Sequence, residues 1–190
     1  MLGNASRNEF DFRYAYSLYG TNQRDEASKH FEKLLNKNSK YSYPAAYYDG
    51  IIAFDANEYK EALERFEFLK SSKNYAEIAP YYICKILYDT KKYDELITYA
   101  NEAMQVPQVK NANEILVMTA SASFSKKDWQ KTIEFYEQAE KKTVLKDLSL
   151  YEFGYAYFQN QVYLKSINQL KKLADKKSPY SQHSLYLIGQ

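Results

Sequence analysis

The chain has 190 residues, of which 45% are hydrophobic and 26% charged, so it can bury a substantial core and is not expected to be disordered. Its 26 basic and 24 acidic residues give a formal net charge of +2, which excludes a general electrostatic attraction to nucleic acid or anionic membrane. No stretch approaches 18 uninterrupted apolar residues, so no membrane span is expected, and the first ten residues lack the apolar core of a signal peptide.

The composition favours helices. Glycine and proline are scarce, at 5 and 4 residues, whereas sheet proteins need many turn residues. The single cysteine, Cys84, cannot form an internal disulfide and leaves the redox compartment open. Tyrosine is abundant, with 21 residues, and raises the aromatic fraction to 17%. We therefore predict an all-α protein whose surplus of aromatic side chains requires an explanation.

In chain order, the predicted helices recur in pairs with a period of about 34 residues. A small residue marks the middle of each first helix, with spacings of 35, 34, 36, 34 and 35 residues: Ala15, Gly50, Cys84, Ala120, Gly154 and Gly189. A second column follows twelve residues later: Ala27, Ala62, Leu96, Thr132 and Ser166. A third, mostly larger and apolar, lies four residues beyond: Phe31, Phe66, Ala100, Tyr136 and Leu170. An aromatic column, broken only by Arg24, lies between the helices of each pair: Tyr59, Tyr93, Trp129 and Tyr163.

These columns predict one array over residues 1–190. The repeats are placed at about 8–42, 43–76, 77–112, 113–146 and 147–181, with a truncated sixth repeat at 182–190. Because this sixth repeat holds only part of a hairpin, the chain is interpreted as a fragment of a longer array, and self-association through that end is a further expectation.

Gly50 lies inside a predicted helix, where glycine costs about 1 kcal/mol relative to alanine. We explain it by a close crossing with the second helix of the same pair, and we expect Ala62 to be the residue that it faces. Cys84 holds the same place in the third repeat, so it is interpreted as a small buried side chain rather than a reactive thiol.

The period and the two-helix unit resemble the tetratricopeptide repeat, whose pattern is W-x₂-L-G-x₂-Y, then A-x₃-F, then P. The second repeat carries Gly50, Ala62 and Phe66, and residues 153–157 read FGYAY. The tryptophan of the pattern is absent, and the third and fourth repeats lack its glycine and phenylalanine. The resemblance implies an α-solenoid of tandem antiparallel helix hairpins in a right-handed superhelix, with the first helices on its concave face.

That face is predicted to be aromatic. Positions three before, one after and four after each marker share a helix face: Phe12, Tyr16, Tyr19; Tyr47, Ile51, Phe54; Tyr81, Lys85, Tyr88; Val117, Ser121, Phe124; Tyr151, Tyr155, Phe158. The last member of each set is expected to pack between repeats. Eight of the other residues on this face are predicted to contact a ligand: Phe12, Tyr16, Tyr47, Ile51, Tyr81, Lys85, Tyr151 and Tyr155.

The predicted function is a non-catalytic scaffold that binds a peptide or protein segment on this face. Some peptide-binding members of the resembled family use a lysine–asparagine clamp for a terminal carboxylate, but the matching places hold Phe12, Tyr16 and Tyr48. Glycan binding by stacked tyrosines is one alternative, although the only tryptophan, Trp129, lies in the hairpin-turn column. An architectural, self-associating component of a bacterial cell-envelope assembly is the other.

No enzyme, metal or cofactor is expected, because His30 and His183 have no histidine or cysteine at metal spacing and no catalytic motif is present. Nucleic acid is not expected either, since arginine is rare and most lysine pairs fit helix ends. Residues 41–54 and 178–189 resemble inter-repeat joints of envelope arrays of the Bacteroidetes type. That resemblance implies the bacterial periplasm or cell envelope, with the cytoplasm as the alternative.

Overall fold

The computed structural model describes residues 4–37, 39–174 and 176–190. This part of the chain contains no β-strand and forms eleven α-helices: α1 (Asn4–Gly20), α2 (Arg24–Leu35), α3 (Ser42–Asp55), α4 (Tyr59–Leu69), α5 (Ala79–Asp89), α6 (Tyr93–Ala103), α7 (Ala112–Ser125), α8 (Trp129–Glu140), α9 (Asp147–Gln159), α10 (Tyr163–Ala174) and α11 (Ser181–Gly189). The predicted all-α fold of tandem helix hairpins is confirmed.

The chain divides into two compact units. The first comprises Met1–Ile86 and Val106–Lys110, and in it α1 packs on α2, α2 on α3 and α3 on α4. The second comprises Leu87–Gln105 and Asn111–Gln190, and in it each helix from α6 to α11 packs on the next. The repeat boundaries assigned from the sequence remain predictions.

All five hairpins turn in the same way. The residue seven positions after each marker has a left-handed backbone, with φ between 58° and 62°, although none is glycine: Asn22, Asn57, Lys91, Lys127 and Gln161. Its N–H bonds to a carbonyl three residues back, and the next N–H reaches five residues back, as in Asp128 to Ser123 at 3.0 Å. This is the Schellman arrangement, which satisfies the last carbonyls of the first helix.

Replacing Lys127 with glycine is therefore expected to stabilise the protein by about 1 kcal/mol, because a left-handed residue with a Cβ is strained and glycine is not. Urea denaturation followed by circular dichroism measures the change. Lys127→Ala is the control: it removes the same charge but keeps the Cβ, so it should give no gain. Equal stability of the two variants would contradict a strained turn.

Each turn is covered by a side-chain contact. Within four hairpins the residue four after the marker contacts the first residue of the second helix, with ring centroids 5.5 to 6.1 Å apart in Phe54–Tyr59, Tyr88–Tyr93, Phe124–Trp129 and Phe158–Tyr163. In the first hairpin Arg24 lies over the Tyr19 ring, 5.6 Å from its centroid. The arginine that breaks the aromatic column thus keeps the contact as a cation–π interaction.

Gly50 and Gly154 lie at close helix crossings, whereas nothing lies within 4 Å of a Cβ placed on Gly189. Ala15, Cys84 and Ala120 are fully buried, and burial raises the pKa of the Cys84 thiol to about 12, which fits an unreactive core residue.

A Cβ placed on Gly50 would lie 3.0 Å from Cβ of Arg65 and 3.2 Å from the Phe66 ring. At Gly154 it would lie 2.5 Å from Cδ2 of Leu170. The predicted partner Ala62 is buried, but the nearest atoms belong to the residues fifteen and sixteen positions after the marker.

Contacts between successive hairpins involve residues two positions before a marker, namely Tyr48, Tyr82 and Glu152. Tyr48 stacks on Phe31 with centroids 5.7 Å apart, and Tyr82 stacks on Phe66 at 4.3 Å with nearly parallel planes. In the second unit the same positions hold Glu152 and Tyr136, and the tyrosine hydroxyl donates a hydrogen bond to the carboxylate. Phe66 therefore packs both on its own marker, Gly50, and on Tyr82 of the next first helix.

Candidate aromatic binding surfaces

The first unit carries a network of contacting rings, eight of which we name the first aromatic cluster: Phe12, Tyr16, Tyr41, Tyr47, Tyr48, Tyr75, Tyr81 and Tyr82. They come from α1, α3, the part of α5 in this unit, and the segments between hairpins. The first helices supply most of the rings because their aromatic residues recur on adjacent columns of one face.

Successive rings in this cluster lie nearly perpendicular. Tyr16 meets Tyr48 at 65° with centroids 5.1 Å apart, and Tyr48 meets Tyr47 at 74° and 5.3 Å. Tyr47 meets Tyr82 at 76° and 6.3 Å, and Tyr82 meets Tyr81 at 73° and 5.2 Å. These are favourable edge-to-face geometries.

The cluster is partly open to solvent. Tyr16 is 49% exposed, and Tyr47, Tyr48, Tyr81 and Tyr82 are half-buried. Burial raises the pKa of Tyr48 to about 12, and the neighbouring Tyr16 hydroxyl adds to the rise. Burial likewise raises the pKa of Tyr82, with the Tyr47 hydroxyl contributing. Both phenols therefore stay protonated at neutral pH, so the surface offers neutral hydroxyl groups that donate and accept hydrogen bonds.

The structure places four of the predicted ligand-contacting residues in this cluster: Phe12, Tyr16, Tyr47 and Tyr81. Ile51 and Lys85 are half-buried and make none of the ring contacts that define it. Sequence reasoning missed Tyr41, Tyr48, Tyr75 and Tyr82. Tyr48 and Tyr82 both lie two residues before a marker, so the register itself carried a signal for them.

The second unit carries the second aromatic cluster: Phe124, Trp129, Tyr151, Tyr155, Tyr180, His183 and Tyr186. Tyr155 contacts Phe124 and Trp129 with centroids 5.6 and 5.7 Å away, and Tyr151 stacks on Tyr180 at 5.2 Å. The Tyr151 hydroxyl and Nδ1 of His183 are 2.7 Å apart, a hydrogen bond whose donor depends on the imidazole tautomer.

Tyr151 and Tyr155, the two ligand-contacting residues predicted for this unit, thus lie side by side, with ring centroids 5.9 Å apart. Sequence reasoning missed the contributions of Trp129 and His183. Trp129 was assigned to the hairpin turn, where it does contact Phe124, but its indole also contacts Tyr155. The position of Trp129 is therefore no argument against sugar binding at this cluster.

Among residues 4–37, 39–174 and 176–190, no group of three or more histidine, cysteine or acidic side chains is arranged to hold a metal ion. None of the described helices is long and apolar enough to cross a membrane.

The fold was compared with solved structures. The structure titled "Crystal structure of YrrB: a TPR protein with an unusual peptide-binding site" superposes with a TM-score of 0.70. The two chains are 18% identical over 95% of this chain and 91% of the other. This chain has the tetratricopeptide-repeat fold. The predicted resemblance is thereby confirmed at the level of the fold, and no enzyme family is indicated.

Two further tetratricopeptide-like structures are of a putative kinesin light chain with nearly identical repeats from Podosopora anserina, one of them a single-residue variant of the other. Each is 15% identical to this chain. The variant matches 99% of this chain and 86% of its own with a TM-score of 0.33, and the other matches 98% and 86% with 0.32. No protein-family model matches the chain, and no curated protein matches it.

Proposed function

We propose that this chain is a non-catalytic scaffold that binds a peptide or protein segment on its aromatic clusters. The observation that carries the proposal is the first aromatic cluster, in which rings from three successive first helices form one partly exposed surface. Tyrosine suits such a surface because it offers a wide apolar face at low conformational cost and a hydroxyl that tolerates water. YrrB, which has the same fold, has a peptide-binding site, and this supports the proposed role.

Replacing both Tyr47 and Tyr81 with alanine is expected to weaken peptide binding at least about tenfold, because both are partly exposed rings at the centre and end of the cluster. The probe is a library of random linear peptides displayed on phage, selected against the full chain and then measured as synthetic peptides by calorimetry. The helix content of the variant, measured by circular dichroism, should stay close to that of the parent.

Phe68→Ala is the matched control, since Phe68 is also an exposed aromatic residue, at 41%, but lies on the second helix α4. It should bind the selected peptides like the parent. If the Tyr47 and Tyr81 variant unfolds, those rings belong to the core and the proposed surface is wrong. If the Phe68 variant loses binding equally, the peptides do not use the first-helix face.

A second proposal is self-association through α11. Leu185 and Tyr186 are more than half exposed there, and a groove of about 390 Å³ next to them is lined by Phe158, Tyr163, Ser166, Ile167, Leu187, Ile188, Gly189 and Gln190. Exposed apolar surface of this kind favours association. Light scattering over a range of concentrations should show a mass that rises for the parent and less for Leu185→Lys. A constant monomer mass would contradict it.

Glycan binding and the envelope setting stay predictions. Trp129 beside Tyr155 favours testing the second aromatic cluster with sugars, because indole and phenol planes both stack on sugar rings. The resemblance to envelope arrays of the Bacteroidetes type depends only on the joint segments 41–54 and 178–189.

A further inference from the structure

The connection between α8 and α9 carries a dense positive charge. Residues 141–177 contain eight lysines and three acidic residues, a net charge of +5, whereas the whole chain has +2. Residues 141–148 read KKTVLKDL, and we name this stretch the basic tip. Its lysines, Lys141, Lys142 and Lys146, are all exposed. The near neutrality of the chain excludes a general attraction to anionic surfaces but leaves room for a local one.

The lysines of the basic tip carry their charges without ion-pair partners. The acidic side chains beside the tip already pair with lysines of α10 and of the residues that follow it, at 2.7 to 2.9 Å: Glu137–Lys165, Glu140–Lys172 and Asp147–Lys176. Within the described residues, the three lysines of the tip form no salt bridge of their own. Their charges therefore remain available to an anionic partner.

Two apolar side chains of the basic tip face solvent. Val144 is 93% exposed and Leu148 is 44% exposed, whereas Leu145 between them is only 6% exposed and anchors the tip in the core. A single exposed apolar residue needs no explanation. Here, however, lysines lie within three residues of Val144 on both sides. Lysines beside aliphatic groups match the surface of a bilayer, where anionic headgroups lie above the acyl chains.

The residue types distinguish between anionic partners. Protein interfaces depend on aromatic and arginine anchors and are depleted in lysine. Single-stranded nucleic acid is bound by stacking on aromatic rings as well as by basic charge. The basic tip contains neither arginine nor an aromatic residue. Lysine attracts anionic lipid without a fixed geometry, and each lysine close to such a bilayer strengthens binding about fivefold.

We propose that the basic tip docks this chain on the surface of an anionic lipid bilayer. Its three lysines contact lipid phosphates, and Val144 enters the interface between headgroups and acyl chains. Three lysines and one valine give weak, reversible binding that depends on salt, because the attraction falls off within a Debye length of about 8 Å. The inference goes beyond the proposed function and does not depend on it, since neither aromatic cluster takes part.

Co-sedimentation of the full chain with vesicles, over a range of lipid concentrations, measures the binding. The parent should bind vesicles of equal parts phosphatidylglycerol and phosphatidylcholine, but not vesicles of phosphatidylcholine alone. Replacing Lys141, Lys142 and Lys146 together with glutamine should weaken binding at least about thirtyfold. Val144→Ser should weaken it about three- to tenfold. Added salt should release the parent from the vesicles.

Two matched controls lie in the same unit, away from the basic tip. Replacing Lys126, Lys127 and Lys131 with glutamine removes the same charge at the turn between α7 and α8, where all three side chains are exposed. Leu164→Ser removes an apolar side chain that is 80% exposed at the start of α10, whereas the end of α10 lies beside the tip. Both variants should bind the anionic vesicles like the parent.

The outcomes decide the inference. It is overturned if the parent does not bind the anionic vesicles, or if the glutamine variant of the tip binds them as well as the parent. Equal loss in the charge control would show attraction by overall charge and would overturn it too. Binding of a glutamate-rich peptide or of single-stranded oligothymidine at the tip, without vesicle binding, would assign the tip to an acidic protein segment or to nucleic acid instead.

Circular dichroism of each variant shows whether it folds. If the triple variant of the tip does not fold, the single variants Lys141→Gln, Lys142→Gln and Lys146→Gln give the same test. Each should weaken vesicle binding about fivefold, because each removes one charge near the bilayer. Single variants that all bind like the parent would contradict docking by these lysines.

Discussion

Replacing Gly154 with alanine is expected to destabilise the protein by about 1–2 kcal/mol, although alanine is the better helix former by about 1 kcal/mol. The new Cβ would lie 2.5 Å from Cδ2 and 2.6 Å from Cγ of Leu170, and 3.4 Å from the Leu170 backbone nitrogen. Leu170 is fully buried in α10, so its side chain has little space to retreat and the helices must move apart. Valine at position 154 should cost about 3 kcal/mol or more, because it adds two further methyl groups at the same crossing.

Alanine substitutions at two other glycines provide comparisons, because the space around the new Cβ differs at each position. Gly50→Ala should be closer to neutral, because its new Cβ would lie 3.0 to 3.3 Å from Arg65 and Phe66 atoms. Gly189→Ala should be neutral or slightly stabilising, since nothing lies within 4 Å of a Cβ there. Urea denaturation of the three variants should therefore rank them in the order of these distances. A Gly154→Ala protein as stable as the Gly189→Ala protein would contradict the close crossing.

A double-mutant cycle identifies Leu170 as the partner. Leu170→Ala alone should cost about 2–5 kcal/mol through the cavity that it leaves. Adding Gly154→Ala to that variant should cost less than in the parent, because the Cβ now has space, and the difference is the coupling between the two positions. The same test with Ser166→Ala is a useful comparison, since Ser166 donates to the Gly154 carbonyl at 2.8 Å instead of contacting a Cβ. If Gly154 is coupled to Ser166 and not to Leu170, the marker faces the residue twelve positions later, as the sequence predicts.

The predicted contact between each marker and the residue twelve positions later shows what the sequence could and could not predict about the fold. A period of 34 residues places equivalent residues at equivalent points of each hairpin, so the buried column at Ala15, Cys84 and Ala120 was predictable. The period does not specify how the second helix is rotated about its own axis, and that rotation brings Arg65 and Phe66 nearest to Gly50 and Leu170 nearest to Gly154. The tertiary packing of ridges into grooves sets it.

The candidate surfaces show the same limit at the level of side chains. Helical periodicity assigns a residue to a face, and Tyr16, Tyr47 and Tyr81, which it assigned to one face, do lie in one cluster of the first unit. It takes no account of how far a side chain reaches. An aromatic ring extends beyond its own column, so Tyr48 and Tyr82 join the cluster while also stacking on core residues of the preceding hairpins. Core and surface roles therefore overlap in one residue.

The largest chemical change along the joint column is in the second unit. Where the first unit has Tyr48 and Tyr82, α9 has Glu152, which is only 6% exposed. Its carboxylate accepts hydrogen bonds from the Tyr136 hydroxyl and from the Ser121 hydroxyl at 3.1 Å. Burial raises the pKa of Glu152, and the two hydrogen bonds offset only part of the rise.

Glu152→Gln is therefore expected to stabilise the protein at pH 7 by on the order of 1–3 kcal/mol, because the amide is neutral and its oxygen still accepts from Tyr136. The gain should shrink as the pH falls. Since the folded pKa is raised, the folded parent binds more protons than the unfolded chain between the ordinary glutamate pKa of 4.5 and the raised value. The stabilising contribution of the protonated carboxyl is complete below that window and lost above it.

Glu137→Gln is the control with the opposite sign. Hydrogen bonds from Tyr157 and Lys165 lower the pKa of Glu137, so its contribution to stability is present above the ordinary glutamate pKa and is lost as the pH falls through its own lower value. This variant should therefore be less stable than the parent at pH 7, and the gap should stay constant down to about pH 5.

Urea denaturation of the parent and both variants from pH 4 to pH 8 gives the comparison. If the free energies of unfolding of the parent and of Glu152→Gln change with pH in parallel, the buried carboxylate of Glu152 does not destabilise the folded protein. Convergence of those two curves on acidification, while the Glu137→Gln curve still runs parallel to the parent, would assign the pH dependence to Glu152. A single acidic residue would then control the stability of this joint, at the place where the first unit stacks aromatic rings.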